Sequence, residues 1–292
     1  MRNRNTRKRW SGLILVAFCI FGDLKAQETV VFNEPEPAHW AFASVIGTGW
    51  YRLEGGRSAF ILTATPRQYI RESGLSESGE RQLGLFINYD TSVGFFGIDD
   101  IPGFLDSDNF STLSFTPGIG IEIPVTRDWY LRGYANFGWG TSFGDGTNGW
   151  IYYSGIRSRY RFGAIDKNWA LLNSIFFAGI NPDGDSGQSI SGMYAGLEFS
   201  HAIPGPRPDS GDYMLHWNTG YTFIDDSARI AVQSQDFQSI GNTAEIGVAI
   251  SRPQAPFRLW FMQFERLGLT YAFDSRGNYE SLTFNFTSWF DK

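Results

Sequence analysis

The sequence predicts an all-β chain that closes as a transmembrane, antiparallel, up-and-down β-barrel of twelve strands. Three observations predict it. Apolar and polar residues alternate in segment after segment. No apolar run after residue 26 approaches the ~20 residues that a spanning helix needs. The composition is rich in rings and glycine, with 26 Phe, 13 Tyr, 10 Trp and 34 Gly in 292 residues. A barrel in lipid turns its apolar surface outward, so a hydrophobic content of 42% is sufficient.

The chain opens on a basic stretch of Arg2, Arg4, Arg7, Lys8 and Arg9. Leu13 to Phe21 follow as an apolar stretch too short to span a bilayer, and Leu24-Lys25-Ala26 ends on a small residue. This is the pattern of a cleaved signal peptide, residues 1–26, with Gln27 as the first mature residue. The one cysteine, Cys19, follows Phe18 inside the apolar stretch and reads as a plain hydrophobe rather than a lipoprotein site. Residues 27–40 form a short segment, periplasmic or inserted in the lumen, and residues 41–292 form the barrel. Cleavage removes six of the 24 basic and one of the 30 acidic residues, leaving a net charge of −11. That acidity argues against nucleic acid as a partner.

Side chains of a strand point alternately to its two faces. From Trp129 to Thr141, one face carries Trp129, Leu131, Ala135, Phe137 and Trp139, and the other carries Tyr130, Arg132, Tyr134 and Asn136. The first face suits lipid, with a tryptophan near each interface, and the second suits a lumen. The same alternation sets Leu85, Ile87 and Tyr89 against Asn88, Asp90 and Ser92, and Ile119, Ile121 and Ile123 against Gly118, Gly120 and Glu122. It recurs around Met193 to Ser200, Leu215 to Phe223 and Thr243 to Ile250. Twelve strands are expected at 42–52, 57–65, 81–95, 110–123, 129–142, 149–163, 169–180, 189–202, 213–224, 241–251, 264–273 and 279–290.

The joints differ at the two ends. The joints Pro124–Asp128, Ala164–Asn168 and Arg252–Pro256 are short, and Pro204–Gly211 is proline-rich. The opposite joints carry Asp99, Asp100, Asp106, Asp108, Asp145, Asp183, Asp185, Asp225, Asp226, Asp236 and Asp274. Short inner turns and longer outer loops are the outer-membrane pattern. One joint breaks it, because Pro66–Glu80 is long for an inner turn. The last strand alternates Leu282, Phe284, Phe286, Ser288 and Phe290 against Thr283, Asn285 and Thr287. Outer-membrane proteins commonly end in such a strand, which the barrel-assembly machinery reads, although here Asp291 and Lys292 follow the final aromatic.

Two stretches carry a resemblance. Thr116-Pro-Gly-Ile-Gly-Ile-Glu-Ile-Pro124 and Trp129-Tyr-Leu-Arg-Gly-Tyr-Ala-Asn-Phe-Gly-Trp-Gly140 resemble the barrels of autotransporter-like outer-membrane proteins. The nearest kind is the solitary barrel with no passenger domain, and the resemblance covers residues ~40–290. It implies a twelve-stranded barrel and an N-terminal segment that lies in the pore. Residues 27–40 are too few to be a passenger.

The lumen candidates are Arg132, Arg157, Arg159, Arg161, Glu122, Glu198, Glu245 and His216, with Asp90 on the same face. Two readings are open. The charges could form a constriction that selects solutes by field and size. They could instead form salt bridges that brace and partly fill the barrel, since unpaired charges in a narrow lumen are costly. No catalytic residue, cofactor or metal site is expected. Asn181 to Gly187 has the carboxylate spacing of a calcium loop, but its glycine is one place late and no distal Glu follows. Of the three histidines, His39, His201 and His216, the last faces inward near Asn218 without an evident serine partner, and Phe199-Ser200-His201 puts its serine and histidine on opposite faces.

The expected function is therefore a non-enzymatic outer-membrane barrel, either a narrow solute or ion pore or a structural surface protein. The alternatives are an outer-membrane hydrolase acting on lipid or peptide, and an adhesin or receptor using the acidic loops. Expected partners are outer-membrane lipid, lipopolysaccharide and the assembly machinery, with a monomeric state and a Gram-negative outer-membrane location.

Overall fold

The computed structural model describes residues 47–53, 57–76, 79–96, 110–143, 146–163, 168–183, 187–205, 212–225, 228–231, 237–240, 242–252, 257–259, 262–275, 277 and 279–287. All of them belong to one compact unit, Glu36–Lys292. The signal peptide, the segment 27–40, and the loop acids Asp99, Asp100, Asp106, Asp108, Asp145, Asp185, Asp226 and Asp236 lie outside the described residues. So do His39, Ser288 and Phe290.

The described elements are all strands. They are β1 (Gly49–Leu53), β2 (Arg57–Ala64), β3 (Arg67–Arg71), β4 (Gly74–Leu75), β5 (Arg81–Gln82), β6 (Gly84–Phe96) and β7 (Phe110–Pro124). Next come β8 (Trp129–Ser142), β9 (Asn148–Phe162), β10 (Trp169–Pro182), β11 (Gln188–Pro204) and β12 (Asp212–Asp225). The chain continues with β13 (Ala228–Ala231), β14 (Phe237–Ile240), β15 (Thr243–Ser251), β16 (Phe257–Leu259), β17 (Met262–Phe264), β18 (Arg266–Asp274) and β19 (Tyr279–Asn285).

Twelve of these form a closed antiparallel ring in the order β2, β1, β19, β18, β15, β12, β11, β10, β9, β8, β7, β6, with β2 pairing back onto β6. First and last strands meet through five residue pairs, from Gly49–Thr283 to Leu53–Tyr279. The β1–β2 ladder also has five pairs, and others are longer, reaching fourteen pairs between β9 and β10. Closure removes the free edges of the ring strands, which in an open sheet would invite pairing with other chains. The first and last described residues of the ring, Gly49 and Asn285, lie at the same end, called the lower end below.

Two joints at the lower end differ from the sequence expectation. The second strand does not stop before Pro66, because β3 continues β2 in unbroken register on β6, with Ala64 opposite Thr91 and Arg67 opposite Asn88. Proline has no N–H to give, but its carbonyl accepts from Tyr89 N at 3.0 Å, so only one ladder bond is lost. The long joint Pro66–Glu80 is thus strand as far as Arg71, and then the small β4–β5 hairpin. The joint beginning Arg252–Pro256 is longer than expected. It includes the β16–β17 hairpin, and β18 starts only at Arg266.

Burial follows the alternation. On β6, Gly84, Phe86, Asn88, Asp90, Ser92 and Gly94 are buried, while the residues between them are half-buried or exposed. Outward apolar side chains are largely exposed: Ile119 is 69% exposed, Ile175 62%, Ile246 59% and Ile156 58%. Aromatic rings accompany them, with Phe137 and Trp150 stacked 5.3 Å apart. On the last strand Leu282 and Phe284 face outward, while Ser281 and Asn285 are buried. Phe286 follows the end of β19 and packs against Phe264, with 4.9 Å between ring centroids.

Candidate functional site

The inside of the ring is where charged groups collect, because alternate positions of every strand must point there. Inward glycines make room for inward rings. A Cβ on Gly120 would lie 2.1 Å from the Phe86 ring, and one on Gly220 would lie 2.3 Å from the Tyr194 hydroxyl. Only a residue without a side chain lets these rings lie flat on the wall.

Four clusters fill this surface. At the lower end, Glu122 and Arg132 sit directly opposite each other on β7 and β8. Arg132 is 2% exposed, and its Nη2 and Nε donate to Glu122 Oε2 at 2.5 and 3.2 Å. Ser73, just before the β4–β5 hairpin, donates to the other oxygen of Glu122. The Phe86 ring lies between two guanidinium groups, with Arg67 4.7 Å and Arg132 5.4 Å from its centroid. Cation–π contacts of this kind are worth roughly 0.5–2 kcal/mol.

The second cluster centres on Asp90. Its Oδ2 accepts from the Tyr153 hydroxyl and from Asn136 Nδ2, the latter at 3.1 Å. Thr116, fully buried, bonds to the same tyrosine hydroxyl at 3.1 Å. In the third, Glu245 accepts from the Tyr194 hydroxyl at 2.6 Å and from Asn218 at 3.4 Å. The fourth joins four strands. Arg266 donates to Glu198 at 2.7 Å, His216 Nδ1 lies 3.4 Å from the same carboxylate, and His216 Nε2 lies 2.8 Å from Ser251 Oγ.

These contacts run across the ring as well as along its wall. Two strands separate Asp90 on β6 from Tyr153 on β9, and two separate Glu198 on β11 from Arg266 on β18. Strands spaced ~4.8 Å apart put such partners roughly 14 Å apart along the wall. They meet because long side chains lean inward over the intervening strands.

The sequence candidates are therefore distributed unevenly. Glu122 and Arg132 form one pair, while Glu198 and His216 belong to another cluster that includes Arg266. Glu245 is bound by a tyrosine and an asparagine. The three arginines of β9 share a face, yet each has its own surroundings. Arg157 lies 4.8 Å over the Tyr134 ring, Arg159 lies 6.0 Å over Tyr130, and Arg161 is exposed. Sequence reading missed Ser251, Arg266, Tyr153 and Tyr194. Alternation places all four inward, but their partners depend on register, which no local pattern supplies. Among the described residues, no group of three His, Cys, Asp or Glu side chains is placed to hold a metal ion.

Fold and interior together define a closed, twelve-stranded, up-and-down β-barrel with a polar, internally bonded lumen. No family model matches the chain, and no curated protein does. Among solved structures it is similar to the β domain of the Bordetella autotransporter BrkA, with a TM-score of 0.43, 11% identity, and coverage of 82% of this chain and 96% of that one. It is also similar to the transport unit of the autotransporter AIDA-I from Escherichia coli, with a TM-score of 0.42, 11% identity, and coverage of 87% and 100%. The barrel assignment rests on the ring of strand pairings itself.

Proposed function

We propose that the chain is a Gram-negative outer-membrane barrel that works as a braced structural body rather than an open pore. The observation that carries the membrane reading is the outward surface. A closed ring that leaves Ile119, Ile156, Ile175 and Ile246 more than half exposed offers lipid what a water-soluble barrel would hide. The braced reading follows from the inside, where Glu122, Glu198, Glu245 and Asp90 are each engaged by a cation or a hydrogen-bond donor. Such a lumen spends its charges on itself instead of presenting them to a passing solute. On this reading the partners are outer-membrane lipid and lipopolysaccharide, with the assembly machinery acting on the strand around Leu282 and Phe284 during biogenesis. Export is by the signal peptide of residues 1–26.

Two measurements test this. Folded protein in detergent should migrate differently on a gel before and after boiling. A chain that is soluble without detergent and shows no shift would end the membrane reading. In planar bilayers the folded protein should give no regular conductance steps. Steps whose ion selectivity changes when Arg157, Arg159 and Arg161 are replaced by Ala would restore the pore.

A further inference from the structure

We propose that Ser251 is a base-activated nucleophile, forming an acyl-transfer site for carboxylic esters at the lower mouth of the barrel. Ser251 is the last residue of β15, opposite Met214 on one side and Arg266 on the other. It is half-buried, so its hydroxyl stands at the rim and not in the packed interior. His216 Nε2 lies 2.8 Å from that hydroxyl, within reach for proton transfer. On the far side of the imidazole, Nδ1 lies 3.4 Å from Glu198 Oε1, an ion-pair distance that falls outside hydrogen-bond geometry.

The order of these groups matters more than their number. A carboxylate can only accept, so Glu198 favours the tautomer with its proton on Nδ1 and leaves Nε2 with a lone pair toward the serine. Arg266 fixes the carboxylate through contacts of 2.7 and 3.5 Å. Hydroxyl, imidazole and carboxylate in succession, with the carboxylate beside the outer nitrogen of the base, are the parts a serine nucleophile requires.

In the step, Ser251 Oγ attacks the acyl carbon of an ester while its proton passes to His216 Nε2. The bond to the alkoxy oxygen breaks, and that oxygen leaves as the alcohol with the proton from His216. Water then attacks the acyl carbon while His216 takes its proton, the bond to Ser251 Oγ breaks, and His216 returns the proton to Oγ, releasing the carboxylic acid and restoring Ser251. His216 and Ser251 touch the reacting atoms, whereas Glu198 and Arg266 are positioning residues. The inference needs the ring closed, not the ring in a membrane.

The test uses the full chain folded in detergent micelles. A fluorophosphonate probe is added, the labelled residue is located by mass spectrometry, and turnover of p-nitrophenyl acetate and butyrate is followed in parallel. The heat-dependent gel shift reports folding for every sample. Folded protein should be labelled at Ser251, and boiled protein should not. Ser251→Ala should lose the label and the turnover with its gel shift intact. His216→Gln should slow labelling by about a hundredfold, the lower end of what a positioned base contributes. Folded wild-type protein without label on Ser251 would overturn the proposal, as would ester turnover unchanged in Ser251→Ala or labelling at full rate in folded His216→Gln.

Discussion

Removing the carboxylate of Glu122 should destabilise the barrel far more than removing both members of its ion pair. In the folded ring, Arg132 is 2% exposed and loses both contacts to Glu122 Oε2, at 2.5 and 3.2 Å, when Glu122 becomes Ala. Its packing against Phe86, 5.4 Å away, remains. Removing one partner of a buried ion pair costs about 3–5 kcal/mol, and the contacts that Arg132 keeps favour the lower figure. A loss of about 3 kcal/mol is roughly a hundredfold in the folding equilibrium. The double variant, Glu122→Ala with Arg132→Met, leaves no charge behind and should recover at least about 1 kcal/mol of that loss. Urea unfolding in lipid vesicles, followed by tryptophan fluorescence, measures both. A single variant that loses less than about 1 kcal/mol, or a double variant no more stable than the single, would refute the idea that this end of the lumen is held by a desolvated pair.

Other positions give independent checks. Gly120→Ala puts a methyl carbon 2.1 Å from the Phe86 ring, which is pinned between Arg67 and Arg132. It should cost about 1–3 kcal/mol in the same unfolding assay, and Phe86→Leu in that background should return part of it. Ile119→Arg changes an outward residue that is 69% exposed, so a water-soluble barrel would tolerate it. In a bilayer it should cost about 2–4 kcal/mol, read as lowered stability in vesicles, and an unchanged stability there would count against the lipid-facing assignment.

The faces of the strands were legible in the sequence because period two survives wherever one side meets an apolar medium and the other a polar one. The stretch from Trp129 to Thr141 shows this, with Phe137 and Trp139 exposed and Arg132 and Asn136 buried as the alternation requires. Strand ends were less legible. Pro66 reads as a stop, yet a proline whose carbonyl still faces the partner strand breaks only half a rung. The β16–β17 hairpin is too short to leave a periodic trace. Partners inside the lumen were least legible of all. His216 lies opposite Ala249 in the ladder and meets Ser251 two residues along, a diagonal contact fixed by register and side-chain reach. Glu198 and Arg266 are 68 residues apart, and only the curvature of the finished ring brings them together.

That last separation bears on how the chain assembles. Arg266 begins the penultimate strand of the ring, and Glu198 is placed three strands before it. A ring that stalls short of β18 therefore holds an inward carboxylate whose guanidinium has not arrived, next to a histidine it cannot satisfy alone. The same holds for Asp90 until Tyr153 on β9 comes round to it. The cross-lumen bonds thus form only when a strand three places further round the ring has arrived, so a barrel that stalls before β18 keeps an inward carboxylate that the finished one pairs.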